Sequence, residues 1–187
     1  MFLDFINNNT TEDSDNERTA IIQSFRKLNL KKHDFFVKQG EACRYFCYVE
    51  NGILQHALEV DGDEKTTYIA LKNTVTSSLF SFLNQTPSRK SIKALTDCVL
   101  WVIDLETFIK LKKTNKAFSQ LYYNIIEKQI CLIDDYRIDL LTLTPEERYQ
   151  KLLTSEPKLL QEVPLHYLAT FLGISSRHMS RIRKTIK

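Results

Sequence analysis

A chain of 187 residues with 43% hydrophobic and 26% charged residues has the composition of a folded globular protein. No run of about 18 apolar residues is present, so no membrane-spanning helix is predicted. The N-terminus lacks the basic start and apolar centre of a secretory signal. We therefore expect a cytoplasmic protein with no membrane partner, built from one domain or from two small ones.

The net charge of +3 is unevenly distributed along the chain. Residues 163–187 contain five Lys and Arg residues and no acidic residue, so the preceding 162 residues carry a net charge of −2. A basic end on a slightly acidic body favours contact with a polyanion. A solvated basic helix would give the same distribution, and charge alone does not decide between the two.

The cysteines and histidines show no arrangement typical of a metal site. His33 and His56 have no partner at ligand spacing, and each is interpreted as structural. Scattered cysteines in a cytosolic chain are expected to be reduced and to act as small apolar residues. An iron–sulfur cluster with four thiolate ligands is the alternative that the count allows. We expect no metal and no cofactor. The cysteines are Cys43, Cys47, Cys98 and Cys131.

A short helix is predicted near the N-terminus. It follows a polar, acidic stretch at residues 7–16, which we interpret as a loop. Thr11 with Glu12 and Asp13 has the pattern of a helix N-cap. The helix that it begins has apolar positions at Ala20, Ile21, Ile22 and Phe25.

From about residue 25 to residue 103, short apolar runs alternate with turn signals. The Asp-Gly-Asp sequence after Val60 predicts a β-hairpin by itself, and an Asn-Gly pair stands at residues 51–52. Runs about ten residues apart predict a β-sandwich or barrel. The predicted strands are residues 35–37, 45–49, 53–60, 66–71 and 99–103.

A long helix is predicted from Leu105 to about Leu141, a stretch without Gly or Pro. Apolar residues recur along it at helical spacing, and this stripe is too apolar to be left in water. The helix either lies against its own β domain or pairs with a second copy of itself. We favour the dimer, because the helix stands between the β domain and a further helical module.

Three shorter helices are predicted after it. Thr144-Pro145-Glu146-Glu147 supplies an N-cap, a proline at the first helical position and a capping glutamate, and it predicts a helix to about Leu153. Two further helices are predicted at residues 164–172 and 175–186. Only Gly173 and Ile174 separate them, which is the connection typical of a helix-turn-helix.

The last two helices follow the helix-turn-helix pattern residue by residue. We expect Gly173 to take a left-handed backbone, Ile174 to fill the space between the helices and Ser175 to cap the second helix. Leu168, Ala169, Leu172, Met179 and Ile182 are predicted to face inward. The outward face then fits DNA, with base contacts near its start and phosphate contacts from its basic residues. The candidate DNA-binding residues are Ser175, Ser176, Arg177, His178, Ser180, Arg181, Arg183 and Lys184.

Nearly all of the chain after residue 20 resembles the Crp/Fnr family of transcriptional regulators, in its compact form. The matching stretches are VKQGE (37–41), YFCYVENG (45–52), DGDE (61–64), PSRKSIKAL (87–95), RY (148–149), YLATFLGIS (167–175) and MSRIR (179–183). The resemblance implies a cyclic-nucleotide-binding-type β-barrel, a dimerisation helix and a C-terminal helix-turn-helix. It also implies a homodimer on pseudo-palindromic DNA.

The cyclic AMP cassette of that family is incomplete here. In the family, a Glu holds the ribose hydroxyl, while backbone N–H groups, an Arg and a Ser or Thr hold the cyclic phosphate. The corresponding residues 73–82 contain neither the Gly nor the Glu, and Ser88 stands in the place of the Arg. Cyclic AMP is therefore not expected, although another small effector is left open. The candidate ligand-binding residues are Ser77, Ser78, Arg89, Lys90 and Ser91.

The predicted fold class is α+β, with a jelly-roll barrel domain at residues 1–110, a dimerisation helix at 111–142 and a helix-turn-helix domain at 143–187. We expect a homodimeric regulator that binds double-stranded DNA and does not respond to cyclic AMP; contact with RNA polymerase is left open. The alternative is a ligand-sensing or protein-docking module whose helix-turn-helix no longer reads DNA. No catalytic constellation is present in the sequence, so an enzyme is not expected.

Overall fold

The computed structural model describes residues 2–10 and 15–185 of the chain. Within them, two helices precede eight short strands, and a series of helices completes the chain. The elements are α1 (Phe2–Asn9), α2 (Asp15–Ser24), β1 (Arg26–Leu30), β2 (Phe35–Val37), β3 (Tyr45–Asn51), β4 (Leu54–Val60), β5 (Asp63–Ala70), β6 (Val75–Thr76), α3 (Leu79–Asn84), β7 (Ser91–Ala94), β8 (Cys98–Asp104), α4 (Leu105–Thr114), α5 (Lys116–Thr142), α6 (Pro145–Ser155), α7 (Pro157–Glu162), α8 (Leu165–Phe171) and α9 (Ser176–Thr185). No helix in this part of the chain is both long enough and apolar enough to cross a bilayer.

The strands form two four-stranded sheets in the orders β1-β8-β3-β6 and β2-β7-β4-β5, and every described pair is antiparallel. Apolar side chains from both sheets meet in one core, as in a jelly roll. The predicted barrel is not closed: among the described strands, no hydrogen-bonded ladder joins the two sheets. The hairpin predicted at Val60 is present, with Val60 opposite Asp63.

Sequence patterns missed three helices, α1, α3 and α7, and three strands, β1, β6 and β7. In α1, Phe2 and Ile6 are buried, and the Phe2 ring stacks on Trp101 with the centroids 4.9 Å apart. The stretch at residues 7–16, interpreted as a loop, is helical up to Asn9. Helix α2 confirms the predicted helix but ends at Ser24, one residue before Phe25, and the proposed cap at Thr11, Glu12 and Asp13 lies outside the described residues.

The structure has two helices, α4 and α5, where the sequence predicted one from Leu105 to Leu141, because the helical backbone is interrupted at Asn115. The backbone of Asn115 is extended, and its side-chain oxygen accepts a hydrogen bond from the Phe118 N–H at 2.8 Å. Glu17 of α2 caps the same helix end, since its carboxylate accepts hydrogen bonds from the N–H groups of Lys116 and Ala117 at 3.0 and 3.2 Å. Helix α5 therefore begins five residues later than the predicted dimerisation helix.

The C-terminal helices share a second core with the sheet β2-β7-β4-β5. Ile53, Ile69 and Leu95 come from the strands or their ends, and they cluster with buried residues of α6 to α9. The hydroxyl oxygens of Thr66 on β5 and Thr170 on α8 lie 2.6 Å apart. Residues 143–185 are thus packed on the β structure through apolar contacts and at least one direct hydrogen bond.

Gly52 provides a stability test of the turn between β3 and β4. Its φ is +96°, and a Cβ atom there would lie 2.5 Å from Cys98 Sγ and 2.7 Å from the Asp97 carbonyl oxygen. Gly52→Ala should therefore lower the free energy of unfolding by about 2 kcal/mol or more, since it adds a clash to a left-handed backbone. Urea denaturation measures the loss.

The matched control is Gly62→Ala. Gly62 also has a positive φ, +82°, but a Cβ there meets no atom within 4 Å. Only the backbone cost remains, and we expect a loss of about 1 kcal/mol. Equal losses for the two variants would contradict the steric argument.

Candidate functional site

Helices α8 and α9 pack against each other through the positions that the sequence predicted to face inward. All five side chains are buried: Leu168, Ala169, Leu172, Met179 and Ile182. The small Ala169 lies at the contact between the two helices, and Ile174 is partly buried against the same cluster. The apolar pattern of this segment was therefore interpreted correctly.

Gly173 forms the turn between the two helices. Its φ is +70°, and the N–H of Ile174 donates to the Ala169 carbonyl at 2.9 Å, while the N–H of Gly173 donates to the Thr170 carbonyl. These two bonds are those of a Schellman motif, in which the residue with positive φ is usually glycine. The turn fixes the direction in which α9 leaves α8.

One face of α9 is exposed and cationic. Arg177, Arg181 and Lys184 follow one another at helical spacing on the side opposite Met179 and Ile182. None of their charged groups makes an ion pair or a hydrogen bond within residues 2–10 and 15–185, and the same is true of Arg183 on the flank. These charges are therefore available to an external anion. Lys187, counted with them in the sequence, lies outside the described residues.

Three other predicted DNA-binding residues make contacts within the chain. Ser175 Oγ accepts a hydrogen bond from the His178 N–H at 3.2 Å, which is the predicted N-cap. Ser180 Oγ donates to the Ser176 carbonyl. The His178 ring lies 2.7 Å from a carboxylate oxygen of Glu146 and joins α9 to α6. Only the Ser176 side chain, among these polar candidates, is exposed without such a contact.

Side chains of α5 and α6 hold the α8–α9 pair in place. Arg148 on α6 donates to the carbonyl oxygens of Leu143 and Leu172 at 3.0 and 2.9 Å. Tyr136 on α5 donates its hydroxyl hydrogen to the Phe171 carbonyl at 2.7 Å, and the two rings stack. The α8–α9 pair is therefore attached to both α5 and α6.

Helix α5 has two different halves. Ala117, Phe118 and Leu121 are buried against the β core, whereas Ile130 is 62% exposed and Leu140 is 46% exposed. The first part of the helix lies against the β domain, which was one of the two interpretations; pairing with a second copy stays a prediction. A mostly apolar stripe that includes one arginine, here called the α5 stripe, runs from Tyr123 to Leu140 with alternating spacings of three and four residues. The α5 stripe consists of Tyr123, Ile126, Ile130, Ile133, Arg137 and Leu140.

A cavity of about 610 Å³ lies between the two sheets, helix α3 and helix α5. Ser77, Ser78, Arg89 and Lys90, four of the five candidate ligand-binding residues, line it. Ser91 does not line this cavity: its hydroxyl accepts a hydrogen bond from the Gln39 N–H at 2.9 Å. The Ser91 side chain, at the start of β7, is therefore bonded to the segment that contains Gln39.

Two cavity residues were missed as candidates because they come from distant parts of the sequence. His56 on β4 is buried, and its Nε2 lies 2.7 Å from Thr76 Oγ1, so the pair joins the two sheets. Within the described residues, the Nδ1 atom of His56 has no hydrogen-bond partner. Gln129 lines the cavity from α5. An isolated histidine in a strand pattern and a glutamine in a helix give no sequence signal of such a meeting.

His56 makes stability depend on pH. Burial lowers its pKa well below the ordinary value of 6.5, and the charge of Lys90 lowers it further. The folded protein keeps the imidazole neutral below pH 6.5, where the unfolded chain binds a proton. The unfolded state then holds more protons, so the free energy of unfolding should fall as the pH drops below 6.5, by up to about 1.4 kcal/mol per pH unit.

Urea unfolding at pH 7.5 and pH 5.5 measures this dependence. His56→Gln retains a polar group opposite Thr76 but cannot titrate, so its stability should change less between the two pH values. The exposed His166 supplies the matched control, His166→Gln. The same pH dependence in the parent protein and in His56→Gln would contradict the assignment to His56.

Three of the four cysteines are buried, and Cys131 on α5 is exposed. Burial raises the pKa of Cys47 well above its usual value, which keeps the thiol protonated. Cys98 is packed against Gly52. Within the described residues, no group of three or more His, Cys, Asp or Glu side chains is placed to hold a metal ion.

Comparisons with known proteins agree with this arrangement of sheets and cavity. Residues 27–115 match the family described as cyclic nucleotide-binding domain. The chain is also 28% identical over 124 residues to the cAMP-dependent protein kinase regulatory subunit of Eremothecium gossypii, a match that covers 65% of this chain and 25% of that protein. The chain thus spans about a quarter of the length of that curated relative.

The fold outside the cyclic nucleotide-binding domain is also found in solved structures. FixK2 from Bradyrhizobium japonicum superposes with a TM-score of 0.73 at 15% identity, covering 87% of this chain and 84% of that one. The c-di-GMP responsive global regulator CLP of Xanthomonas campestris gives a TM-score of 0.69 at 18% identity, covering 91% and 90%. The chain therefore shares its fold with these two proteins.

The cavity lies partly in the region that matches the cyclic nucleotide-binding domain, but its lining lacks residue types that are typical of a nucleotide site. Among the described residues that line it, there is no Asp, no Glu and no Gly. A carboxylate is the natural acceptor for ribose hydroxyls, and glycine lets the backbone approach a phosphate closely. Ser88, in the position where the resemblance implies an arginine, is buried and lies 2.8 Å from Ser78 through its hydroxyl oxygen.

Proposed function

We propose that this protein is a homodimeric, sequence-specific DNA-binding transcription regulator of the Crp/Fnr type. The observation that carries the proposal is the exposed face of α9, where Arg177, Arg181 and Lys184 have no partner within the described chain. A helix with buried apolar residues on one side and unpaired cations on the other fits the major groove of DNA.

The roles of the individual side chains follow from their positions on α9. Arg177 lies in the first turn and Arg181 one turn later, so both can reach base edges, where arginine binds guanine through two hydrogen bonds. Arg183 and Lys184 lie nearer the C-terminal end of the helix and contact phosphate. His178 acts indirectly in this scheme, because its contact with Glu146 holds α9 against α6.

The α5 stripe supplies the dimer contact of the proposal. Its residues recur at the spacing of a two-stranded coiled coil, and they would be shielded from water by a second copy of the same helix. Two parallel copies of α5 would place two α9 helices on the same side of the dimer, which suits half-sites about one turn of DNA apart.

Selection from a random double-stranded DNA library, with the full-length protein and no added ligand, tests the proposal. Recovery of one palindromic motif is the expected result. A parallel selection with the Arg181→Ala protein controls for non-specific attraction to phosphate, and it should yield no motif. Recovery of only salt-sensitive, sequence-independent DNA by the parent protein would contradict the proposal and favour a sensing or docking module.

A further inference from the structure

Lys90 is a cation without a partner in the wall of the cavity. Burial lowers the pKa of its ammonium group. No ion pair or hydrogen bond of its Nζ is found within the described residues. Its backbone is fixed, because Ser88 Oγ donates to the Lys90 carbonyl at 2.6 Å and accepts from the Lys90 N–H at 3.3 Å. A half-buried ammonium group held in this way lacks the anion that would compensate its loss of water.

Apart from Arg89, the remaining polar side chains that line the cavity are neutral. His56 contributes an uncharged ring whose Nε2 is already bonded to Thr76, and Gln129 lines the cavity from α5 with an amide that has no hydrogen-bond partner in the described chain. Ser77 Oγ donates to the Tyr45 carbonyl and is also occupied. Arg89 is exposed at the edge. The partly buried ammonium group of Lys90 therefore supplies the positive charge of the cavity interior.

The rest of the cavity wall is apolar. Phe46 and Tyr68 come from the two sheets, and Ile125, Ile126 and Ile133 come from α5. Such a wall favours the binding of a ligand with an apolar body, because burial of apolar surface is favourable by roughly 25 cal/mol per Å². A sugar ring with several hydroxyl groups would leave its polar groups without partners on this side.

We propose that the cavity binds a small amphiphilic anion, with its acidic head group on Lys90 and its apolar body against α5, and that it does not bind a cyclic nucleotide. The head group compensates the charge of Lys90, and Gln129 can donate a further hydrogen bond to it. The inference rests on the cavity alone and is independent of the proposed DNA binding.

Isothermal titration calorimetry of the full-length protein tests this inference with matched probes. Octanoate and octanol have the same apolar body and differ in charge, octyl phosphate exchanges the carboxylate for a phosphate head group, and cyclic AMP represents the family ligand. Octanoate should bind at least about tenfold more tightly than octanol, since a hydrogen bond to a charged group is worth that factor or more. Whichever of octanoate and octyl phosphate binds more tightly identifies the preferred head group.

Variants assign the effect to Lys90. Lys90→Met keeps the apolar stem and should bring the affinities for octanoate and octanol together, whereas Lys90→Arg should retain the preference. Lys93→Met is the matched control, because Lys93 lies three residues further along the chain, on β7, and is paired with Glu64 at 3.3 Å. Equal binding of octanoate and octanol by the parent protein, an unchanged preference in Lys90→Met, or tighter binding of cyclic AMP than of either anion would each overturn the proposal.

Discussion

A chain with both Ile130→Asp and Leu140→Asp is expected to be a monomer of 21.9 kDa, where the parent protein is expected at twice that mass. Both side chains are exposed members of the α5 stripe, and neither lines the cavity. In a paired helix, the two substitutions would bury four uncompensated carboxylates per dimer, which costs several kcal/mol. Light scattering coupled to size-exclusion chromatography measures the mass, and DNA affinity should fall by about 100-fold because the two half-sites are no longer linked.

Leu132→Asp with Ile138→Asp is the control for this prediction. These residues are on the same exposed part of α5, at 45% and 49% exposure, but they lie off the α5 stripe. The control adds the same charge to the same helix and should leave the dimer intact. Dissociation of both double variants, or of neither, would show that the contact between copies lies elsewhere.

The Arg181→Ala protein is expected to lose sequence-specific DNA binding while remaining folded. Truncation removes a two-bond contact to a base in each half-site, at a cost of about 1–3 kcal/mol for each contact. Fluorescence anisotropy with the selected motif and with a scrambled duplex separates the specific from the non-specific part. The difference in affinity between the selected motif and the scrambled duplex should largely disappear.

Two further variants distinguish base reading from general attraction. Lys184→Ala should weaken binding to both duplexes about equally and reduce the salt dependence, as expected of a phosphate contact. Arg44→Ala removes an exposed arginine of the β domain and should change neither affinity. Full-strength specific binding by folded Arg181→Ala protein would remove Arg181 from the interface.

The two-helix unit could be predicted from the sequence because its determinants are local. The spacing of Leu168, Ala169 and Leu172, the turn at Gly173 and the capping box at Thr144 each act within a few residues, and the structure has all of them. Thr144 accepts from the Glu147 N–H, and Glu147 accepts from the Thr144 N–H, as the pattern requires. Whether this unit reads DNA remains a prediction.

Features that depend on tertiary contact could not be predicted in this way. The helix break at Asn115 needs Glu17, which is almost one hundred residues away along the chain. The cavity is likewise formed by His56, Lys90 and Gln129 from three separate elements. Strands as short as β6 have too few residues to show an alternating pattern, so periodicity does not detect them.

The second core also determines how the molecule comes apart on heating. Ile53, Ile69 and Leu95 are covered by the C-terminal helices, so residues 143–185 have no separate apolar interior. The chain should therefore melt in a single cooperative transition, with equal calorimetric and van't Hoff enthalpies, although its helices and sheets resemble separate modules. Cutting the chain after Thr142 would leave those three side chains in water and yield an aggregation-prone fragment. Residues 27–115 match a family model by themselves, but we expect their stability to depend on the C-terminal helices.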